Sequence, residues 1–343
     1  MILFSLGPFG PFSAWWDSAI ARIAEIGLGP AAVVTADTPE EFAGNLIRSA
    51  TPHLVVVSRR PSPPLRALLV ESGAPLLLGF GDPREGLFEL VAGHGHDFRA
   101  ATQILADSWA AATICAGMPK AIVVSADAAR QHTSDALGRI AQFCGLHIVP
   151  EETAIAAPAA PSAPAREWWD SLDADERGIA EGALRGYETW LAGHGIGEII
   201  WDRRLFCGAA DHARSAGTAI DIGETPGILV DGPWIGLPPG RWAMSVTLAV
   251  SREVSGVRFD IAVNALDHPG PLSTGSIICD GRGLGSATLL FAIAPASGQT
   301  ISLTVASTAP APGGRLALGN VVLAPSPGED AGIPAELSSA LSL

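Results

Sequence analysis

The chain has 343 residues, 48% of them hydrophobic and 16% charged, and a formal net charge of −14; that length favours two domains and a large buried core. With 35 Asp and Glu against 21 Lys and Arg, and Lys120 the single lysine, it lacks the clustered cations that neutralise phosphates, which excludes a general nucleic-acid binder or a partner for anionic membranes. Mean hydropathy is +0.31, yet turn residues interrupt every apolar run before the roughly 18 residues that a membrane helix needs, so no membrane insertion is expected.

The chain opens on MILFSLGPFGPFSAWWDS, which has neither a basic start nor a small-residue cleavage site, so the expected location is the cytoplasm. From residue 1 to about 150, short apolar strands alternate with helices. The expected strands are Ile2–Leu6, Ala32–Thr35, Leu54–Ser58, Pro75–Phe80 and Ala121–Val124. The expected helices are Ser13–Glu25, Pro39–Ser49, Pro64–Glu71, Pro83–Val91, Phe98–Ala116 and Ala128–Cys144. Strands of four to six apolar residues separated by helices predict a parallel sheet covered on both faces, an α/β domain.

The segment PEETAIAAPAAPSAPAREWW is rich in Pro and Ala and reads as a linker or surface loop. Beyond it, Trp169, Leu172, Ile179, Leu184, Tyr187 and Leu191 recur at helical spacing, predicting one or two helices that pack back on the first domain. The 151–217 stretch is thus an expected linker region. From about residue 218 to 325 the pattern turns to short alternating strands, as in GRWAMSVTLAVS, GVRFDIAVNAL and TISLTVAS, without long helices. That grammar predicts an antiparallel β-sandwich or jelly roll. Residues 326–343 read as a tail.

Ligands of an open parallel sheet sit outside the carboxyl ends of its strands. The residues expected there are Gly7, Gly10 and Ser13 after the first strand, Asp37 after the second, Arg59 and Arg60 after the third, GDPRE after the fourth, and Ser125 and Asp127 after the fifth. The first loop opens a helix, so its amides can meet an anion, although its prolines remove donors and it lacks the Gly-Lys-Ser/Thr ending of a P-loop. Asp82 reads as an N-cap, with Pro83 at the first helical position and Glu85 in the first turn; Arg84 is the residue that capping does not require.

His94, His96 and Asp97 form a set chemically capable of base or metal work, but no further ligand pair completes a metal site, and Asp97 serves equally as an N-cap. Cys115, Cys144, Cys207 and Cys279 lie far apart with no Cys-x-x-Cys pair and read as buried reduced thiols. Neither a Gly-x-Ser-x-Gly elbow nor a His-Glu-x-x-His pair is present.

The first strand with its turn into a helix, the fourth strand running into GDPREGLFEL, the helix carrying DSWAAA and the late ALGRIAQFCGL helix together resemble the sulfotransferase family over residues 1 to 150. The resemblance implies a P-loop-like fold that binds 3'-phosphoadenylyl sulfate. It also implies a basic first loop and an Arg-Asp-Pro-Arg motif with a later serine on the 3'-phosphate. Here Gly81 stands for the first arginine and Glu89 falls about where the serine lies, and an acid there repels the phosphate. The last third resembles β-sandwich modules of the carbohydrate-binding type found in bacterial polysaccharide proteins, which points to Trp234, in a Gly/Pro loop, as a sugar-stacking residue and leaves Trp242 to the core.

The expectation is a sulfotransferase-like protein of bacterial surface polysaccharide biology with a degenerate donor site. It binds a saccharide or nucleotide-linked small molecule, or acts as an assembly partner. One alternative is an active transferase whose altered donor is held by Gly10, Ser13, Arg59, Arg60 and Arg84, with His94 or His96 as acceptor base. The other is a structural homo-oligomer formed through the sandwich. No cofactor is implied.

Overall fold

Five apolar runs pair as parallel strands, β1 (Ile2–Leu6), β2 (Ala31–Thr35), β3 (His53–Ser58), β4 (Leu76–Phe80) and β5 (Ala121–Ser125), in the order β2-β3-β1-β4-β5. The structure is a computed structural model that describes residues 1–148, 155–208, 211–215, 219–254, 256–266, 268–279, 283–294 and 299–326. Around the sheet run α1 (Pro11–Leu28), α2 (Pro39–Arg48), α3 (Pro63–Ser72), α4 (Pro83–Phe88), α5 (Phe98–Ala116), α6 (Ala126–Gln131) and α7 (Thr133–Phe143).

Local chemistry starts these helices. Thr38 and Glu41 form a capping box on α2, and Ser62, Asp82, Asp97 and Ser125 accept backbone N–H bonds at the starts of α3, α4, α5 and α6. Along α1, Phe12, Trp16, Ile20 and Ile23 make one buried stripe against Leu3, Val55 and Leu77 of the sheet and Leu137 and Ile140 of α7. Each such side chain contributes on the order of 1.5–3 kcal/mol by leaving water.

Two expected helices differ in detail. The Ala128–Cys144 helix begins at Ala126 and divides at His132, whose backbone leaves the helical region at φ −137° and ψ 55°, while the Thr133 hydroxyl donates to the Ala129 carbonyl at 2.6 Å. The Pro83–Val91 helix stops at Phe88 and widens into a π-helical turn, Glu89–Gly93, closed by the His94 N–H on the Glu89 carbonyl at 3.0 Å.

The chain divides into two compact units. The first holds Met1–Ala101 and Asp107–Asp173; the second holds Thr102–Ala106 and the described residues from Ala174 onward. Within the expected linker region, residues 151–154 and the 218 boundary lie outside the described residues, as does the expected tail apart from Ser326. The two helices expected after the Pro/Ala-rich segment are α8 (Ala163–Ser171) and α9 (Ala174–Leu191), and they belong to different units.

Helix α8 packs on α4, with the Ser162 N–H on the buried Glu85 carboxylate at 2.7 Å. Helix α9 lies on β6 (Ile199–Trp201) within the second unit. The reason is a glycine seam. A Cβ on Gly182 would stand 2.9 Å from the Ile200 carbonyl oxygen, and one on Gly186 would stand 2.6 Å from Ile199 Cγ1. Only glycine lets the helix backbone come this close.

The second unit is antiparallel. Its further strands are β7 (Cys207–Gly208), β8 (Asp211–Ser215), β9 (Ile220–Asp221), β10 (Gly227–Leu237), β11 (Gly240–Val250), β12 (Arg258–Ala265), β13 (Ser273–Ile278), β14 (Leu284–Ile293), β15 (Gln299–Ser307), β16 (Arg315–Leu318) and β17 (Val321–Pro325). One sheet runs β13-β12-β15-β10-β7-β8 and the other β6-β17-β11-β16-β9, with β14 paired to β11. Alternation sets the core, as the sequence pattern predicts. Trp242, Met244, Val246 and Leu248 of β11 are buried, as are Phe259, Ile261 and Val263 of β12 and Ile301, Leu303 and Val305 of β15. The Trp242 indole N–H donates to the Pro238 carbonyl at 3.1 Å. The fold is thus an α/β unit with a parallel sheet joined to a β-rich unit of antiparallel sheets.

Candidate functional site

The chain leaves β1 toward β2 and leaves β4 toward β5, on opposite sides, so the loops part between the carboxyl ends of β1 and β4. This is where an open α/β sheet accommodates a ligand. Here α1 packs closely on the ends of β1 and β4. A Cβ on Gly79 would meet Trp16 Cγ at 2.6 Å, one on Gly81 would meet Phe12 Cβ at 2.9 Å, and one on Gly7 would meet the Gly79 carbonyl oxygen at 2.6 Å. Phe12 and Trp16 are buried, and the Trp16 indole N–H donates to the Leu77 carbonyl at 3.2 Å.

The residues expected to grip an anion are engaged by the protein itself. The Ser13 hydroxyl is buried and donates to the Pro8 carbonyl at 2.5 Å, while Gly10 caps α1 without a side chain. The Arg59 guanidinium pairs with Asp17, which also accepts the Ser5 hydroxyl at 2.5 Å. Arg60 pairs with Asp107 at 3.6 Å. Asp37 Oδ1 accepts the backbone N–H groups of Arg59 and Arg60, each at 3.0 Å, and the Ser58 hydroxyl at 2.5 Å. The carboxylates of Asp17, Asp37 and Asp107 therefore face donors at the end of β3, where Arg59 Nη1 is buried without an acceptor and the more exposed Arg60 meets Asp107 through Nε. Burial pushes the Asp17 carboxyl above the usual carboxylate range, against the pull of Arg59.

A second group of residues gathers beside the β1 loop, around α4, the π-helical turn and α8. Gly10 sits against Gly86, 3.5 Å from where its Cβ would be. Half-exposed Phe9 meets exposed His94 with centroids 6.5 Å apart, His94 lies 6.4 Å from His96, and His94 Nε2 stands 3.6 Å from Glu89 Oε1. Phe88 and Trp168 are half-exposed with centroids 5.6 Å apart, and Phe98 joins Trp168 at 6.4 Å. Arg84, exposed, lies over the buried Trp169 ring at 5.3 Å. Asp82 caps α4 on the Arg84 N–H at 2.9 Å, as the motif predicts.

Of the expected residues, the structure brings Gly10, Arg84, His94 and His96 to this aromatic edge. It does not gather Arg59, Arg60 and Arg84 into one clamp, since each has its own protein partner. Sequence reasoning missed Phe9, Phe88, Phe98 and Trp168. The signals were the tandem Trp168–Trp169 and the one-turn spacing of Arg84 and Phe88 on α4. Among the described residues, no group of three or more His, Cys, Asp and Glu could hold a metal.

In the β unit, Trp234 is 41% exposed and has φ 61°, at a register shift in β10 between Pro233 and Ile235. A bulge that re-aims an exposed aromatic is a recurrent feature of binding surfaces. Elsewhere, Cys115, Cys144 and Cys279 are buried, as expected, whereas Cys207 is only half-buried. Burial raises the Cys115 thiol to about 12 and the Cys144 thiol to about 11, so neither is a nucleophile at neutral pH. No described helix is long and apolar enough to cross a membrane.

No family model matches the chain, and no curated protein matches it. Solved structures similar to it include mouse sulfotransferase SULT7A1 in complex with PAP, at 11% identity and TM-score 0.37, over 56% of this chain and 84% of that one. The C-terminal CBM6 of the marine laminarinase LamC from Zobellia galactanivorans is similar at 14% identity and TM-score 0.22, over 35% of this chain and 97% of that one. AlgX from Pseudomonas aeruginosa is similar at 11% identity and TM-score 0.22, over 87% of this chain and 49% of that one. Likeness this distant leaves function to the geometry of the chain itself.

Proposed function

We propose that this is a sulfotransferase-like protein with a degenerate donor site, which binds a saccharide of the bacterial surface-polysaccharide kind without transferring a group to it. What carries the reading is the pairing of neutralised donors at the end of β3 with an uncovered aromatic edge beside α4. Where a phosphate would need free N–H groups and cations, Asp17, Asp37 and Asp107 already sit. Phe88, Trp168 and Phe98 instead offer half-exposed rings, suited to the apolar C–H face of a pyranose. Trp234 supplies a second stacking ring in the β unit.

Thermal-shift titration with adenosine 3',5'-bisphosphate and UDP is expected to show no saturable stabilisation. Glycan-array binding is expected to fall about tenfold or more in Trp168→Ala, on the scale of a lost aromatic contact. Saturable stabilisation by a nucleotide, lost in Arg59→Gln, would overturn this reading. It would favour the active transferase instead, for which the Glu89–His94 pair provides a base.

A further inference from the structure

Arg84 is a cation at this edge that no carboxylate of the described residues takes up, in contrast to Arg59 and Arg60. Its backbone N–H is spent on Asp82, and its guanidinium lies over Trp169. The guanidinium carbon stands 5.3 Å from the Trp169 centroid, within cation–π range, and the exposed side chain presents an N–H edge to solvent. That edge is a planar fork whose spacing matches the paired oxygens of a carboxylate or a sulfate.

The support beneath the fork is rigid. Trp169 is buried, and the adjacent Glu85 is buried and bonded to the Ser162 N–H, which ties the start of α8 to α4. One helical turn after Arg84, a rise of about 5.4 Å, Phe88 lies against Trp168 with both rings half-exposed. A cationic fork and an aromatic face thus stand side by side on one packed helix pair. An acidic monosaccharide presents the matching couple, an anionic substituent beside an apolar ring face.

On the saccharide-binding reading given above, we infer that the ligand is an acidic saccharide, with Arg84 receiving its carboxylate or sulfate ester and the Phe88–Trp168 pair receiving its ring. Arg84 selects acidic over neutral sugars; the aromatic pair binds both.

Calorimetric titration of the full chain with oligogalacturonate, a sulfated galactan oligosaccharide and neutral xylo-oligosaccharide tests this. The wild-type protein is expected to bind at least one acidic ligand about tenfold or more tightly than the neutral one, the scale of a charge-assisted hydrogen bond. Arg84→Gln is expected to erase that preference while leaving neutral binding within about twofold. Arg84→Lys keeps the charge without the fork and is expected to restore the preference only in part, and Arg166→Gln on α8 is expected to change nothing. Comparing the two acidic ligands separates carboxylate from sulfate.

Equal binding of acidic and neutral ligands by the wild-type protein, or a parallel loss of both in Arg84→Gln, overturns the inference and leaves saccharide binding standing. Failure of all three ligands to bind the folded wild-type protein overturns the saccharide reading itself. If Arg84→Gln does not fold, the Arg84→Lys preference decides.

Discussion

Trp234 has φ 61° with its indole 41% exposed. A non-glycine residue in the left-handed region costs roughly 1–2 kcal/mol, because Cβ crowds the following carbonyl. Folding stability gains nothing from a tryptophan there that glycine would not give more cheaply at the backbone. Trp234→Gly and Trp234→Ala both remove the ring, so their difference isolates the backbone. The glycine variant is expected to be about 1–2 kcal/mol more stable than the alanine variant in urea unfolding; equal stabilities would show that the bulge is unstrained. At this scale the sequence was informative where chemistry is local: Asp82 caps α4 and Trp242 is buried, as their neighbours imply. It could not place Arg84, because a cation's partner depends on which distant segment folds against it, and Trp169 lies 85 residues further on.

Between α9 and β6 the contact is made by backbone. Gly178, Gly182 and Gly186 recur every four residues, so they share one helix face. Gly182 and Gly186 meet β6 and its approach, whereas a Cβ on Gly178 would meet nothing within 4 Å. Opposite outcomes are therefore expected from the same substitution. Gly186→Ala is expected to destabilise by about 1–3 kcal/mol, as overpacking does, and Gly178→Ala to stabilise by up to about 1 kcal/mol through helix propensity. Thermal melting that moved both variants the same way would contradict the seam. The parallel strands and most helices were legible, because apolar runs and capping residues sit in contiguous sequence. The partner of α9 was not, because its apolar residues suit any sheet and only the glycine spacing distinguishes a close-approach face. The break at His132 was hidden because no Gly or Pro stands there to mark it.

The net charge of −14 acts on the whole molecule. It repels an anionic ligand across tens of ångströms, while Arg84 attracts one at contact. Salt separates the two effects, since the Debye length is about 10 Å at 0.1 M. Added salt removes the diffuse repulsion first. The association rate of an acidic oligosaccharide is expected to rise between about 0.01 and 0.1 M salt, opposite to the fall shown by basic polyanion-binding proteins. Stopped-flow measurement of that slope checks it, and a falling rate would mean that local attraction dominates the approach. Composition alone foretold the sign of this field, and the change of pattern along the chain foretold two fold classes. The pairing of Asp17, Asp37 and Asp107 with donors at the end of β3 was invisible in sequence, because the partners of each pair come from separate turns of the chain.

Phe12 and Trp16 of α1 pack against Gly81 and Gly79 at the carboxyl end of β4. Removing either buried ring costs on the order of 3–5 kcal/mol, a large share of the roughly 5–15 kcal/mol that holds a domain folded. Opening a cavity there would therefore cost stability that the unit has little of to spare. A variant of this chain would more readily acquire new chemistry along the aromatic edge than a pocket between β1 and β4.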